Sequence, residues 1–141
     1  MTKIKVGFEV TDNWAKGDFR EFITSLTKLP EKYELYIISN DDSSAYISSV
    51  GVTLGLPTTQ VYVVNFTQDK LDKIDALGVE IYLENLKYVA DQVEDTTNAY
   101  GIYVNELPRK YYAQPTYIVD FERLINGLNQ GTCEESFEPK E

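Results

Sequence analysis

Five short apolar runs, each followed by a stretch whose hydrophobic residues recur at helical spacing, occupy most of this chain. The runs are Ile4–Val10, Leu35–Ile38, Val61–Val64, Val79–Leu83 and Ile102–Val104. Strands that alternate with helices predict a parallel sheet covered on both faces. The expected fold is therefore α/β, a three-layer Rossmann-like parallel sheet of about five strands with helices on each side. Such sheets gather their chemistry just beyond the carboxyl ends of the strands. The polar residues at those positions are Glu9, Thr11 and Asp12 after the first strand and Ser39 after the second. Lys70 precedes the fourth strand, and Glu84 and Asn85 follow it.

The helical stretches carry their own punctuation. Asp18 is an expected cap for a helix with Phe19, Phe22, Ile23, Leu26 and Leu29 on one face, ended by Pro30. Ile47, Val50 and Leu54 point inward from the second helix, closed by Gly55 and Pro57. Thr67 is the expected cap of the third, which buries Leu71, Ile74 and Leu77 and stops at Gly78. Leu86, Val89, Ala90 and Val93 mark the fourth.

Past Val104 the pattern changes. Asn105–Gln114 reads as a loop, Thr116–Val119 as a short strand, and Asp120 as the cap of a last helix with Phe121, Leu124, Ile125 and Leu128 on one side. The expected organisation is a single domain over residues 1–129 and an acidic tail over 130–141.

Composition removes several classes of chemistry. Histidine is absent, which excludes serine–histidine and cysteine–histidine nucleophiles and the commonest zinc sites. Cys133 is the only cysteine, so no internal disulfide forms, and a reducing cytoplasm is the expected location. The sequence runs straight into a strand without the pattern of a signal peptide. No apolar run approaches the roughly 20 residues of a membrane span. Acidic residues outnumber basic ones 23 to 13, a net charge of −10 that argues against general nucleic-acid binding. The same charge suits solubility, or an acidic surface made for a basic partner protein.

Taken in order, the strand-end residues resemble those of the haloacid dehalogenase-like (HAD-like) hydrolases, over about residues 3–128. In that family the first strand ends in Asp-x-Asp and the second in Ser or Thr. A Lys precedes the fourth strand, and acidic residues follow it. Phe8-Glu9-Val10-Thr11-Asp12 lies at the first motif, with Glu9 in place of the nucleophile and Thr11 in place of the acid–base. Ile37-Ile38-Ser39 matches the second motif, Lys70 the third, and Ile81-Tyr82-Leu83-Glu84-Asn85 the fourth, where Asn85 departs from an acidic residue.

The resemblance implies catalytic positions at Glu9 and Thr11 and phosphate binding by Ser39 and Lys70. It implies Mg²⁺ held by Glu9, Glu84 and Asp12, with Asn85 behind them. The replacements alter that chemistry. Glu9 carries one more methylene than Asp, and a misplacement near 1 Å costs on the order of 100-fold in rate. Thr11 is no acid–base at neutral pH, although one branch of the family, the P-type ATPases, has Thr at the equivalent place. Short connections after the first and third strands leave no room for the inserted cap domain of many relatives.

The leading expectation is thus a HAD-like domain with decayed phosphatase machinery, acting by binding a protein partner or a second copy of itself. Tyr111-Tyr112, following Arg109-Lys110, is the expected contact pair. The runner-up is a working Mg²⁺-dependent phosphatase or nucleotidase. A third reading is a receiver- or flavodoxin-like domain, which a different strand order would reveal. Each residue also has an ordinary role: Ser39 as a helix cap, Lys70 as a surface lysine, Glu84 and Asn85 as the cap of the next helix. Lys70 in a first helical turn opposes the helix dipole, which asks for a reason.

Overall fold

A computed structural model describes residues 3–10, 17–40 and 44–104. The elements run β1 (Ile4–Phe8), α1 (Gly17–Thr27), β2 (Tyr33–Ser39), α2 (Ser44–Leu54), a 3₁₀ turn (Thr58–Gln60) and β3 (Val61–Val63). They continue with α3 (Thr67–Leu77), β4 (Ile81–Glu84), α4 (Lys87–Thr96) and β5 (Tyr100–Tyr103). All strand pairs are parallel, and the order across the sheet is β3-β2-β1-β4-β5. The α/β expectation is met. The receiver- or flavodoxin-like alternative is not, because that winding places β3 beside β1. Here β1 lies between β2 and β4.

Two cores show why the strands are apolar on both faces. On one side Val6, Phe8, Leu35, Ile37, Ile81 and Leu83 pack against Phe19, Phe22, Ile23 and Leu26 of α1 and Ile47 and Val50 of α2. On the other, Tyr36, Ile38 and Tyr82 meet Leu71 and Ile74 of α3 and Val93 of α4. Alternate residues of each strand serve alternate layers, which is the period-2 pleat at work.

Several boundaries differ from the sequence expectation. Val79 and Glu80 precede β4, although Val79 is buried and Glu80 N–H bonds the Lys5 carbonyl at 2.9 Å. Asp18 lies inside α1. Phe66, not Thr67, is the residue ahead of α3, and its side chain makes no capping bond. Gly78 ends α3 as expected: its φ of 71° and ψ of 31° are left-handed, and its N–H turns back to the Asp75 and Ile74 carbonyls. Thr11, Asp12, Tyr111, Tyr112, the strand expected at 116–119, the last helix and the tail lie outside the described residues.

Candidate functional site

The order of the sheet reverses between β1 and β4, the place where open α/β sheets keep a crevice. The two strands reach it in register, with Gly7 opposite Tyr82 and Phe8 opposite Leu83. Glu9 N–H then bonds the Leu83 carbonyl at 3.0 Å, so the ladder carries Glu9 one step past the end of β1. Glu9 shares the parity of Gly7, and Glu84 that of Tyr82. The two carboxylates therefore emerge side by side on the α3 side of the sheet.

Lys70 descends onto them from the first turn of α3. Its ammonium lies 2.7 Å from Glu9 Oε1 and 2.6 Å from Glu84 Oε1. Ser39, the last residue of β2, donates its hydroxyl to Glu9 Oε2. Four of the sequence-predicted residues thus form one cluster, and Glu9, Lys70 and Glu84 are each 1% exposed while Ser39 is fully buried. Asn85 contributes through its backbone, whose N–H bonds Glu84 Oε2 at 2.9 Å. Lys70 is no surface lysine here. Its two ion pairs supply the reason that its position against the helix dipole asked for.

The other oxygen of each carboxylate is held by backbone N–H groups as well. Glu9 Oε2 accepts the Val10 N–H at 3.1 Å, and Oε1 accepts the Asn40 N–H at 3.3 Å. Glu84 Oε2 accepts the Leu86 N–H at 3.1 Å beside that of Asn85. Glu84 therefore does two things: it pairs with Lys70 and fastens the turn into α4.

Energetically the cluster is near balance. Withdrawing each ion from water costs several kcal/mol. Each ion pair, at 2.7 and 2.6 Å, returns about 6 kcal/mol at the effective dielectric of such sites. Two carboxylates on one ammonium leave a formal charge of −1, and burial is the main reason that the Glu84 carboxyl is pushed above its ordinary value. Lys70 opposes that rise by charge and hydrogen bond, while the Glu9 charge adds to it.

Sequence reasoning missed the floor of the site. The fully buried Tyr82 ring lies with its centroid 5.4 Å from the Lys70 ammonium, and its hydroxyl bonds the Ile38 carbonyl. Gly7 makes that possible, because a Cβ there would stand 2.8 Å from Tyr82 Cδ1. A glycine inside a strand signals such a close approach. The Tyr82 hydroxyl is pushed well above its usual pKa, first by burial and then by the charges of Glu84 and Glu9.

Among the described residues, the metal implied by the resemblance finds two of its expected ligands, Glu9 and Glu84, both paired with Lys70. Mg²⁺ needs carboxylate oxygens at about 2.0–2.1 Å in an octahedral shell. Both inner oxygens, Glu9 Oε1 and Glu84 Oε1, already face the Lys70 ammonium. Among the described residues no group of three or more acidic, histidine or cysteine side chains is placed to hold a metal. Asp12, the third expected ligand, lies outside them.

No helix among the described residues is long and apolar enough to cross a membrane. Comparison with family models, with curated proteins and with solved structures finds no match to this chain.

Proposed function

We propose that this chain is a HAD-like domain whose hydrolytic centre is closed, and that it works by binding a protein partner. The observation that carries the reading is the saturation of Glu9. A carboxylate nucleophile needs a free oxygen about 3–3.5 Å from the reacting atom. Glu9 is 1% exposed, and its oxygens accept from Lys70, Ser39, Val10 and Asn40. Ser39 and Lys70, the residues expected to hold phosphate, direct these bonds at the protein's own carboxylates. The formal charge of −1 further disfavours a phosphate dianion.

Binding is supported by what lies around the closed centre. Phe66 leads into α3 and is 70% exposed, while Leu86 and Tyr88 begin α4 at 44% and 63% exposed. Apolar side chains left in water at the functional end of a sheet suit a protein contact. The net charge of −10 favours a basic partner. The test is a broad panel of phosphomonoesters with Mg²⁺. No turnover is expected, and a rate of about 1 s⁻¹ or above would remove the reading.

The second reading is a Mg²⁺-dependent phosphatase or nucleotidase. It is favoured by one fact: two carboxylates, an ammonium and a hydroxyl converge on the reversal point of the sheet. In it Glu9 acts as an unusual nucleophile or base and shares the metal with Glu84, while Ser39 and Lys70 hold the phosphate. It requires the Glu9–Lys70 contact to open on substrate binding. Glu9→Gln abolishes activity on this reading, and an unchanged rate rules it out.

A further inference from the structure

We propose that two copies of this chain pair through the outer edge of β3, antiparallel and centred on Val63, so that the sheet of one copy continues into that of the other. The inference goes beyond the closed-centre reading and does not depend on it.

The two edge strands of the sheet, β3 and β5, are finished differently. In β5 the Tyr100 N–H bonds the Glu80 carbonyl, so the next residue, Gly101, turns its N–H outward. Glu94 of α4 accepts that N–H at 3.1 Å. The helix lies so close that a Cβ on Gly101 would stand 2.1 Å from the Ala90 carbonyl oxygen. That edge is covered. In β3 the Val64 N–H bonds the Ser39 carbonyl at 2.9 Å, so Val63 turns its N–H and carbonyl away from β2. Among the described residues none bonds either group. The Val61 N–H is taken by the Thr58 carbonyl, which leaves Val63 as the centre of the open edge. The strand, Val61-Tyr62-Val63, carries none of the charges or prolines that blunt such edges.

The surface beside this edge is uncharged too. Residues 43–68, which span α2, the 3₁₀ turn and β3, contain no Asp, Glu, Lys or Arg, in a chain that is 26% charged. α2 sits directly on β3, since a Cβ on Gly51 would stand 2.6 Å from Val61 Cγ2. Ser48, Val52 and Gly55 lie within about 100° of Gly51 around the helix, on the side away from the core-facing Val50. Val52 is 78% exposed, and Val63, on the same face of β3 as Val61, is 39% exposed.

These facts select the occupant. A basic partner is met by carboxylates, and this surface has none. Two copies at −10 each repel at a distance, so they come together best through a face that adds no charge to the contact. On the other side of β3 the nearest charges, Asp69, Asp72 and Lys73 of α3, are of both signs, and the Lys73 ammonium lies 4.6 Å from the Tyr62 ring centroid. A two-fold axis at Val63 lets each copy's Val63 N–H donate to the Val63 carbonyl of the other and sets the two exposed valines side by side.

The experiment is analytical sedimentation of the intact chain over a concentration series, beside Val63→Pro, Val63→Lys and Val52→Glu. The parent should shift from monomer to dimer with concentration. Added NaCl should strengthen the dimer, because salt screens the repulsion between copies. Val63→Pro deletes the outward N–H and no bond to β2, a placement that edge strands tolerate. It removes two hydrogen bonds across the axis at once, which should weaken the dimer about ten-fold. Val63→Lys sets like charges against each other and should weaken it at least as much. Val52→Glu, on an exposed helix face, should act in the same direction and keeps the test open should the Val63 variants not fold. A parent that stays monomeric throughout overturns the proposal. Slow amide exchange at Val63 in that monomer would assign the edge to residues 105–141 of the same chain instead. A dimer that the folded variants leave at parental strength, or that weakens as NaCl is added, overturns it as well. Phosphomonoester turnover bears on the closed centre alone, so the two ideas fail separately.

Discussion

Gly7 and Tyr82 face each other across β1 and β4, and the absent side chain of the one is the space filled by the ring of the other. A methyl group on Gly7 would stand 2.8 Å from Tyr82 Cδ1, and Tyr82 has no solvent side to swing into. Gly7→Ala should destabilise the fold by about 1–3 kcal/mol, the range for overpacked cores. Urea unfolding checks the magnitude. A stability equal to the parent would show that the ring is free to shift.

The hydroxyl of the same tyrosine bonds the Ile38 carbonyl of β2, reaching over β1 to do so. Tyr82→Phe keeps the ring beneath Lys70 and removes only that bond. The expected loss is about 0.5–1.5 kcal/mol. Thermal melts of this variant beside Gly7→Ala separate the cost of the hydroxyl from the cost of the ring's position.

Lys70 neutralises two buried carboxylates, so the order in which charges are removed matters. Lys70→Met leaves Glu9 and Glu84 unpaired at 1% exposure, and stranded charge of this kind costs about 3–5 kcal/mol. Adding Glu9→Gln and Glu84→Gln to Lys70→Met should recover at least half of that loss. Denaturant titration of the single and triple variants measures it. A triple variant no better than the single would place the cost in packing rather than charge.

Acid dependence follows from Glu84. Its carboxyl is raised above the ordinary value, chiefly by burial. A raised carboxyl favours the protonated folded form. Its contribution is therefore fully present below the ordinary carboxylate range and is lost as pH rises through the higher folded value. Glu84→Gln mimics the protonated form at every pH. The parent should lose stability relative to Glu84→Gln as pH is raised across that window, which a series of chemical denaturations will show. A constant difference would mean that the Lys70 contact fully offsets burial.

Much of the fold was legible because helices and strands write different periods. The grouping of Phe19, Phe22, Ile23 and Leu26 and the glycine stop at residue 78 reappear as α1 and the end of α3. The cap at Thr67 was misplaced by one residue, since Phe66 takes the extended position without any side-chain bond to advertise it. Strand order was not legible, because an apolar run does not name its neighbours.

At the site, the strand-end rule found Glu9, Ser39, Lys70 and Glu84. It did not say that Ser39 and Lys70 would bond Glu9 directly instead of holding a phosphate beside it. That depends on the register of β1 with β2 and β4, which sets where each side chain leaves the sheet. Tyr82 was read as part of an apolar run for the same reason.

The burial of Lys70 has an experimental use. Acylating reagents consume amines from the water side, so Lys87, 59% exposed on α4, is modified while the protein stays native. Lys70 can be modified only from conformations in which the top of the sheet has come apart, and such openings carry free energies up to that of the whole fold. The rate at which its amine is tagged, followed by mass spectrometry, becomes a clock for how often this molecule opens.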